Sequence, residues 1–300
     1  LHSTNGWYRS TSRDYFHIYA NDTQIYCSFD LSDSDNTKSR IENCIADIRL
    51  WMISQKLKLN DDKTEIIILS APSHTTQVNC GNIVIGDSCV VPAASARNLG
   101  VIFDHHLTME SHIKMVSKNA YYHLRNIASI RNTLCVDSAK ALVHAFISSR
   151  LDYCNSLLYG LPKKSLDRLQ RVQNMAARLI TGTKITDHIT PVLHGLHWLP
   201  INQRIEFKIM TLTFKSLHDL APQYLTELVT PYRPKRSLRS AKKDLLNLPK
   251  MSLKRYGYRS FQYAAPALWN NLPESIKSSK ELSSFKSSLK TYLFKNYFVH

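Results

Sequence analysis

The 300-residue chain lacks any apolar run approaching the roughly 18 residues that a membrane span needs. Glycine and proline are scarce, at 8 and 11 residues scattered among periodic segments, which excludes collagen-like and low-complexity classes. The six cysteines, Cys27, Cys44, Cys80, Cys89, Cys135 and Cys154, form no Cys-x-x-Cys pair. They outline neither a zinc framework nor a dense disulfide scaffold, so a reducing interior, nucleus or cytoplasm, is the expected compartment. Leu1–Asn21 is polar and aromatic and carries no signal-peptide pattern, and the opening at Leu1 without Met reads as a fragment that is not secreted. What is present is apolar and aromatic material: 43% hydrophobic residues with 10 Phe and 15 Tyr. That is enough for one large or two ordinary domains with their own cores.

Charge is unevenly placed. Residues 1–109 carry 9 Lys+Arg against 12 Asp+Glu, and residues 110–300 carry 30 against 11, giving −3 and +19 of the total +16. A field of that sign favours polyanions, and nucleic acid is the common one inside cells. A Lys-rich solvated surface is the plain alternative.

The first third reads as strand-rich. Phe16–Ala20 and Thr23–Phe29 flank Asn21-Asp22, a pair that tolerates a tight hairpin turn. Asn36-Thr37 is placed to cap a helix running to about Lys58, with Ile41, Ile45, Ile48, Trp51 and Met52 on one buried face. Short β-prone runs follow at Thr64–Ser70, Asn82–Ile85, Cys89–Val91 and Asn98–Phe103. From Met109 the period turns helical. The spacing predicts helices over 110–131, from Asp137 as N-cap (Leu142, Val143, Phe146 and Ile147 inward), from Ser165 as N-cap to Gly182, over 201–219, near 259–269 and over 281–297. Pro231–Lys243 is a basic, proline-broken arm. The fold class expected is therefore α+β, strands with a packed helix followed by a mainly helical region.

Several segments occur in a telling order. Phe16-His17-Ile18-Tyr19-Ala20-Asn21-Asp22 is followed by the helix, by Leu57-Lys58-Leu59-Asn60-Asp61-Asp62-Lys63-Thr64, and by Asn98-Leu99-Gly100-Val101-Ile102-Phe103-Asp104. Further on stand Arg150-Leu151-Asp152-Tyr153-Cys154-Asn155, Leu169-Gln170-Arg171-Val172-Gln173-Asn174, His197-Trp198-Leu199-Pro200 and Ala265-Pro266-Ala267-Leu268-Trp269-Asn270. This succession resembles the C-terminal part of reverse transcriptases from non-LTR retrotransposons of the LINE type, jockey and chicken-repeat kinds, over nearly the whole chain. The resemblance implies the end of the polymerase palm at 1–109, a helical thumb at 110–182 and a helical C-terminal region at 183–300 with the arm near 231–243.

It also implies RNA-directed DNA polymerisation with Mg²⁺, an RNA template and a DNA primer, and no membrane. In the family the hairpin tip reads Tyr-x-Asp-Asp, and its first carboxylate, with one upstream, holds two Mg²⁺. That position is Asn21 here, a poor ligand for a hard dication, so no stable Mg²⁺ binding by this chain is expected. Asp22 remains as a weak metal ligand, and Tyr19 belongs to the nucleotide or primer-template side. Lys63 falls near the incoming nucleotide, or is a solvated turn lysine. Leu99-Gly100 resembles the primer grip, or is a core strand needing a small residue. Arg168, Arg171 and Arg178 track phosphates along a thumb helix, or form its wet face. Lys235, Arg236 and Arg239 in the arm wrap RNA, or mark a linker or import signal. Three readings follow: a chain inactive alone that holds primer-template, a decayed copy without activity, and an incomplete record of an active polymerase. His188, His194 and His197 lack the spacing and Cys partners of a zinc site, and Asp104-His105-His106 with Ser111 lacks a hydrolase's nucleophile elbow.

Overall fold

The computed structural model describes residues 14–20, 22–71, 81–86, 88–233, 244–251 and 253–298. The chain is α+β and divides into two compact units, Leu1–Thr108 and Met109–His300.

In the first unit, β1 (Asp14–Tyr19) and β2 (Asp22–Cys27) form an antiparallel ribbon with Tyr19 opposite Asp22. Asp22 thus opens a strand, where the Asn-Asp pair is expected to form the turn, and Ala20 takes a left-handed φ of 54°. Helix α1 (Ser34–Ser54) starts before the expected Asn36-Thr37 cap, because Asn36 Nδ2 bonds Asp33 Oδ1 inside the first turn. It ends at Lys56, whose φ of 59° lets Leu57 N–H reach back to Met52 O. Its apolar face is less buried than expected: Ile41, Ile45, Ile48 and Met52 are half-buried, and Trp51 is exposed.

Two further ribbons follow, β3 (Ile83–Ile85) with β4 (Ser88–Val90), and β5 (Ser95–Asn98) with β6 (Val101–Asp104). The run Asn98–Phe103, expected as one strand, is a hairpin. Leu99 (φ 44°) and Gly100 (φ 84°) form its two-residue tip, a double positive-φ turn that matches the strand twist. Among the described residues Thr64–Ser70, expected as a strand, joins no ladder. It is held by single bonds, Ala93 N–H to Ile66 O and Ser70 N–H to His105 O. Beneath α1, the Arg49 guanidinium pairs with Asp61 and covers Gly86, where a Cβ would collide with it.

The second unit is helical. Its elements are α2 (Glu110–Ser129), α3 (Val136–Val143), a π turn (His144–Ser148), α4 (Ser149–Asp152), α5 (Lys163–Thr181), α6 (Ile189–Gly195) and α7 (Ile201–Leu217). Then come α8 (Gln223–Thr226), α9 (Lys254–Gly257), α10 (Phe261–Asn270), α11 (Glu274–Lys277) and α12 (Leu282–Phe298). One core is built on α5 and α2, where Leu169, Val172, Ala176 and Ile180 meet Ile113, Ala120, Leu124 and Ile127, all buried. The other is built on α7, α10 and α12. Phe214 stacks between His218 at 3.9 Å and Phe285 at 4.4 Å, and Trp269 lies 5.7 Å beyond Phe285.

Two expected caps prove to be other things. Ser165 lies inside α5, and its hydroxyl bonds Glu110 of α2. Helix α3 is capped by Cys135, whose Sγ accepts from Ser138 N–H, not by Asp137. Phe146, expected inward, is exposed because the extra residue in each π turn rotates it off the apolar stripe. The end of α5 does follow its sequence signal. Gly182 takes the left-handed C-cap at φ 72°, and the Arg131 guanidinium closes the Leu134, Leu179 and Ile180 carbonyls.

Candidate nucleic-acid interface

The first unit brings two of the resemblance's segments together. Asn98 Nδ2 donates to Gln24 Oε1 at 2.6 Å, which sets the Leu99-Gly100 tip beside the ribbon carrying Tyr19 and Asp22. Tyr19 is two-thirds exposed, and Asp22, Lys63 and Leu99 are also exposed. Lys63 ends the short turn Asp61–Lys63. Asn21 lies outside the described residues. A single exposed carboxylate, Asp22, does not make a two-Mg²⁺ clamp, and among the described residues no group of three His, Cys, Asp or Glu side chains is placed to hold a metal. His105 and His106 bond the Ala94 and Ser70 carbonyls, and Asp104 caps His106 and Thr108, so that trio braces a turn. His194 and His197 pack on Phe294 of α12 at 5.1 and 5.5 Å.

In the second unit the three arginines of α5 have different situations. Arg168 pairs with Glu110 at 2.9 Å, and Arg178 holds the Lys184 and Asp187 carbonyls of the following loop. Only Arg171 of the three is exposed. The neighbouring motif amides are structural too. Gln173 is buried and donates to Leu199 O at 2.8 Å, Gln170 donates to Gln173 Oε1, and Gln170 Oε1 accepts the first N–H of α7, from Ile201, at 2.9 Å. Asp152 takes a bidentate Arg204 at 2.9 and 3.0 Å. Lys235, Arg236 and Arg239 lie outside the described residues.

A basic surface lies on α2, which sequence reasoning passed over. Lys114, Lys118, Tyr121, Tyr122 and Arg125 recur at intervals that place them on one face, and all are exposed. No Asp or Glu occurs from 111 to 136, and Glu110 is turned to Ser165 and Arg168. From Lys114 to Arg125 the helix rises about 16 Å, the length of several nucleotides. Alongside, His123 stacks on the exposed Phe146 at 5.1 Å, and Arg150 donates to His123 Nε2 at 3.2 Å. Burial, and then the Arg150 charge, hold the His123 imidazole below its ordinary pKa, so it stays a neutral acceptor. Cations interleaved with exposed rings suit phosphates and stacked bases at once. The signal was legible as cations spaced i, i+4 and i+11 without acidic partners.

A comparison with known protein families finds no match, and neither the curated proteins nor the solved structures contain a match. Among the described residues no helix is long and apolar enough to cross a membrane.

Proposed function

We propose that this chain is the C-terminal part of a LINE-type reverse transcriptase, palm end followed by thumb and helical C-terminal region, whose share of the work is to hold the RNA template and DNA primer. The observation that supports it best is the α2 face, where Lys114, Lys118 and Arg125 stand exposed among tyrosines with no carboxylate between them. In this reading the α2 face contacts phosphates, Phe146 and the tyrosines contact bases, and Arg171 adds a flanking phosphate contact. Arg168 and Arg178 keep the helices in place. Polymerisation by this chain alone is not part of the proposal, because Asn21 stands where the resemblance needs a metal-binding Asp. Nucleotide incorporation onto a primer by the purified chain with Mg²⁺ would overturn that restriction. Binding of a labelled RNA–DNA primer-template that weakens with salt, and that depends on the three α2 cations, is the supporting result. A folded chain that fails to bind at low salt favours the second reading, a decayed copy whose basic helices are only a solvated surface.

A further inference from the structure

The second unit carries 30 Lys+Arg, yet one cleft in it has none. It has a volume of about 170 Å³ and lies where α7, the end of α10 and the end of α12 converge. Glu206 and Gln203 supply one wall, Asn271 another, and Tyr292, Asn296 and Tyr297 the third. Among its polar groups, Glu206 and Asn271 keep acceptors short of donors. Glu206 receives one bond, from Asn202 Nδ2 at 3.0 Å, and forms no ion pair among the described residues. Gln203 Oε1 is shut off from water with no hydrogen-bond partner, so it does not face the cleft opening. Asn271 spends its Nδ2 on Ala267 O, which leaves its carbonyl free.

We propose that this cleft binds a guanidinium group, the arginine side chain of a partner protein. A guanidinium presents five N–H donors in a planar fork, so it can serve the Glu206 carboxylate and an amide oxygen together. Its face stacks on a tyrosine ring, and its size suits the cleft. Burial holds the Glu206 carboxyl above its ordinary value, the state of a carboxylate that has lost water without gaining a cation. Tyr159, whose hydroxyl burial and then the Glu206 charge hold above its ordinary value, lies nearby, and Tyr292 and Tyr297 line the cleft. A guanine base also offers paired N–H donors, but it is neutral and would leave the carboxylate charge unmatched. The inference does not rest on the nucleic-acid reading, and its failure would leave that reading untouched.

The experiment is a titration of the full chain, ¹³C-labelled at tyrosine, with N-acetylarginine amide, following the Tyr292 and Tyr297 resonances assigned through Tyr292→Leu and Tyr297→Leu. The expected result is a saturating shift with a Kd of about millimolar, the strength one small group can deliver. The neutral isostere N-acetylcitrulline amide should bind at least about tenfold more weakly, as should the arginine amide on Glu206→Gln. Affinity should rise with pH as Glu206 ionises. It should not collapse with added salt, because salt also screens the repulsion between the ligand and the basic unit. Equal binding of the citrulline analogue, full affinity in Glu206→Gln, or binding of guanosine in place of the arginine amide would each overturn the proposal. The pH and citrulline arms use the unaltered protein, so they decide even if the variant misfolds.

Discussion

Gln173→Leu separates a structural motif from a binding one. The side chain is 2% exposed, its Nε2 serves the Leu199 carbonyl, and its Oε1 accepts from Gln170, which in turn holds the first N–H of α7. Leucine fills nearly the same space but leaves the buried Leu199 carbonyl unpaired. Gln170 keeps a second acceptor, Asn174 Oδ1 at 2.7 Å, so one orphaned group is the main loss. One buried unsatisfied polar group costs about 1–3 kcal/mol. In a unit of this size each kcal/mol lowers Tm by about 2–4 °C. Urea unfolding followed by helical circular dichroism should show that loss, with the slope unchanged. Gln170→Leu should cost a similar amount, and the double variant less than the sum by about 0.5 kcal/mol or more, because the two amides share a bond. A Gln173→Leu loss under about 0.5 kcal/mol, the range of ordinary surface changes, would refute this reasoning. So would a variant that stays fully stable yet loses nucleic-acid affinity.

Other outcomes follow from single sites. Phe214→Ala empties the centre of the stack with Phe285 and His218 and should cost about 3–5 kcal/mol; a loss near 1 kcal/mol in a chemical denaturation curve would mean the core closes over the gap. Gly182→Ala meets nothing within 4 Å, so only the left-handed backbone is strained, and a thermal melt should show about 1 kcal/mol; twice that would indicate an unseen clash. Burial depresses the His112 pKa below the ordinary 6.5, so the stability it contributes is present above that value and is lost as pH falls through the depressed one. A pH series of unfolding midpoints should therefore decline below 6.5, and His112→Leu should flatten it; an unchanged decline would clear His112 of that role. Glu206 works in the opposite sense. Its raised pKa means stability is full below the ordinary 4.5 and falls as pH rises through the raised value, so Glu206→Gln should gain stability at neutral pH and show no gain in acid.

Local pattern carried much of this fold. Helices α2, α5, α7 and α12 keep a 3.6-residue apolar stripe over four or more turns, and Gly182 marks the end of α5 because few other residues accept its φ. The misses have physical causes. Leu99 takes a positive φ that non-glycine residues rarely adopt, so Asn98–Phe103 looks continuous when it is a hairpin. The π turn shifts Phe146 by one extra residue, and nothing in the local sequence announces it. Ser165 looks like a cap but serves Glu110, 55 positions away. The candidate sites divide in the same manner. The α2 cations are close in sequence and could be read from spacing alone. The Arg168 and Arg178 partners, and the acceptor-lined cleft at Glu206, depend on helices brought together by tertiary packing.

The central claim, that α2 carries the nucleic-acid surface, is tested most directly by fluorescence anisotropy of a labelled RNA–DNA primer-template across a salt series. The unaltered chain should give a log–log slope of about −3.6 or steeper, four or more phosphate contacts at about 0.9 each. Lys114→Gln, Lys118→Gln and Arg125→Gln together should make that slope shallower by about 2.7, with helix content unchanged. A folded triple variant that keeps the original slope and affinity would contradict the account.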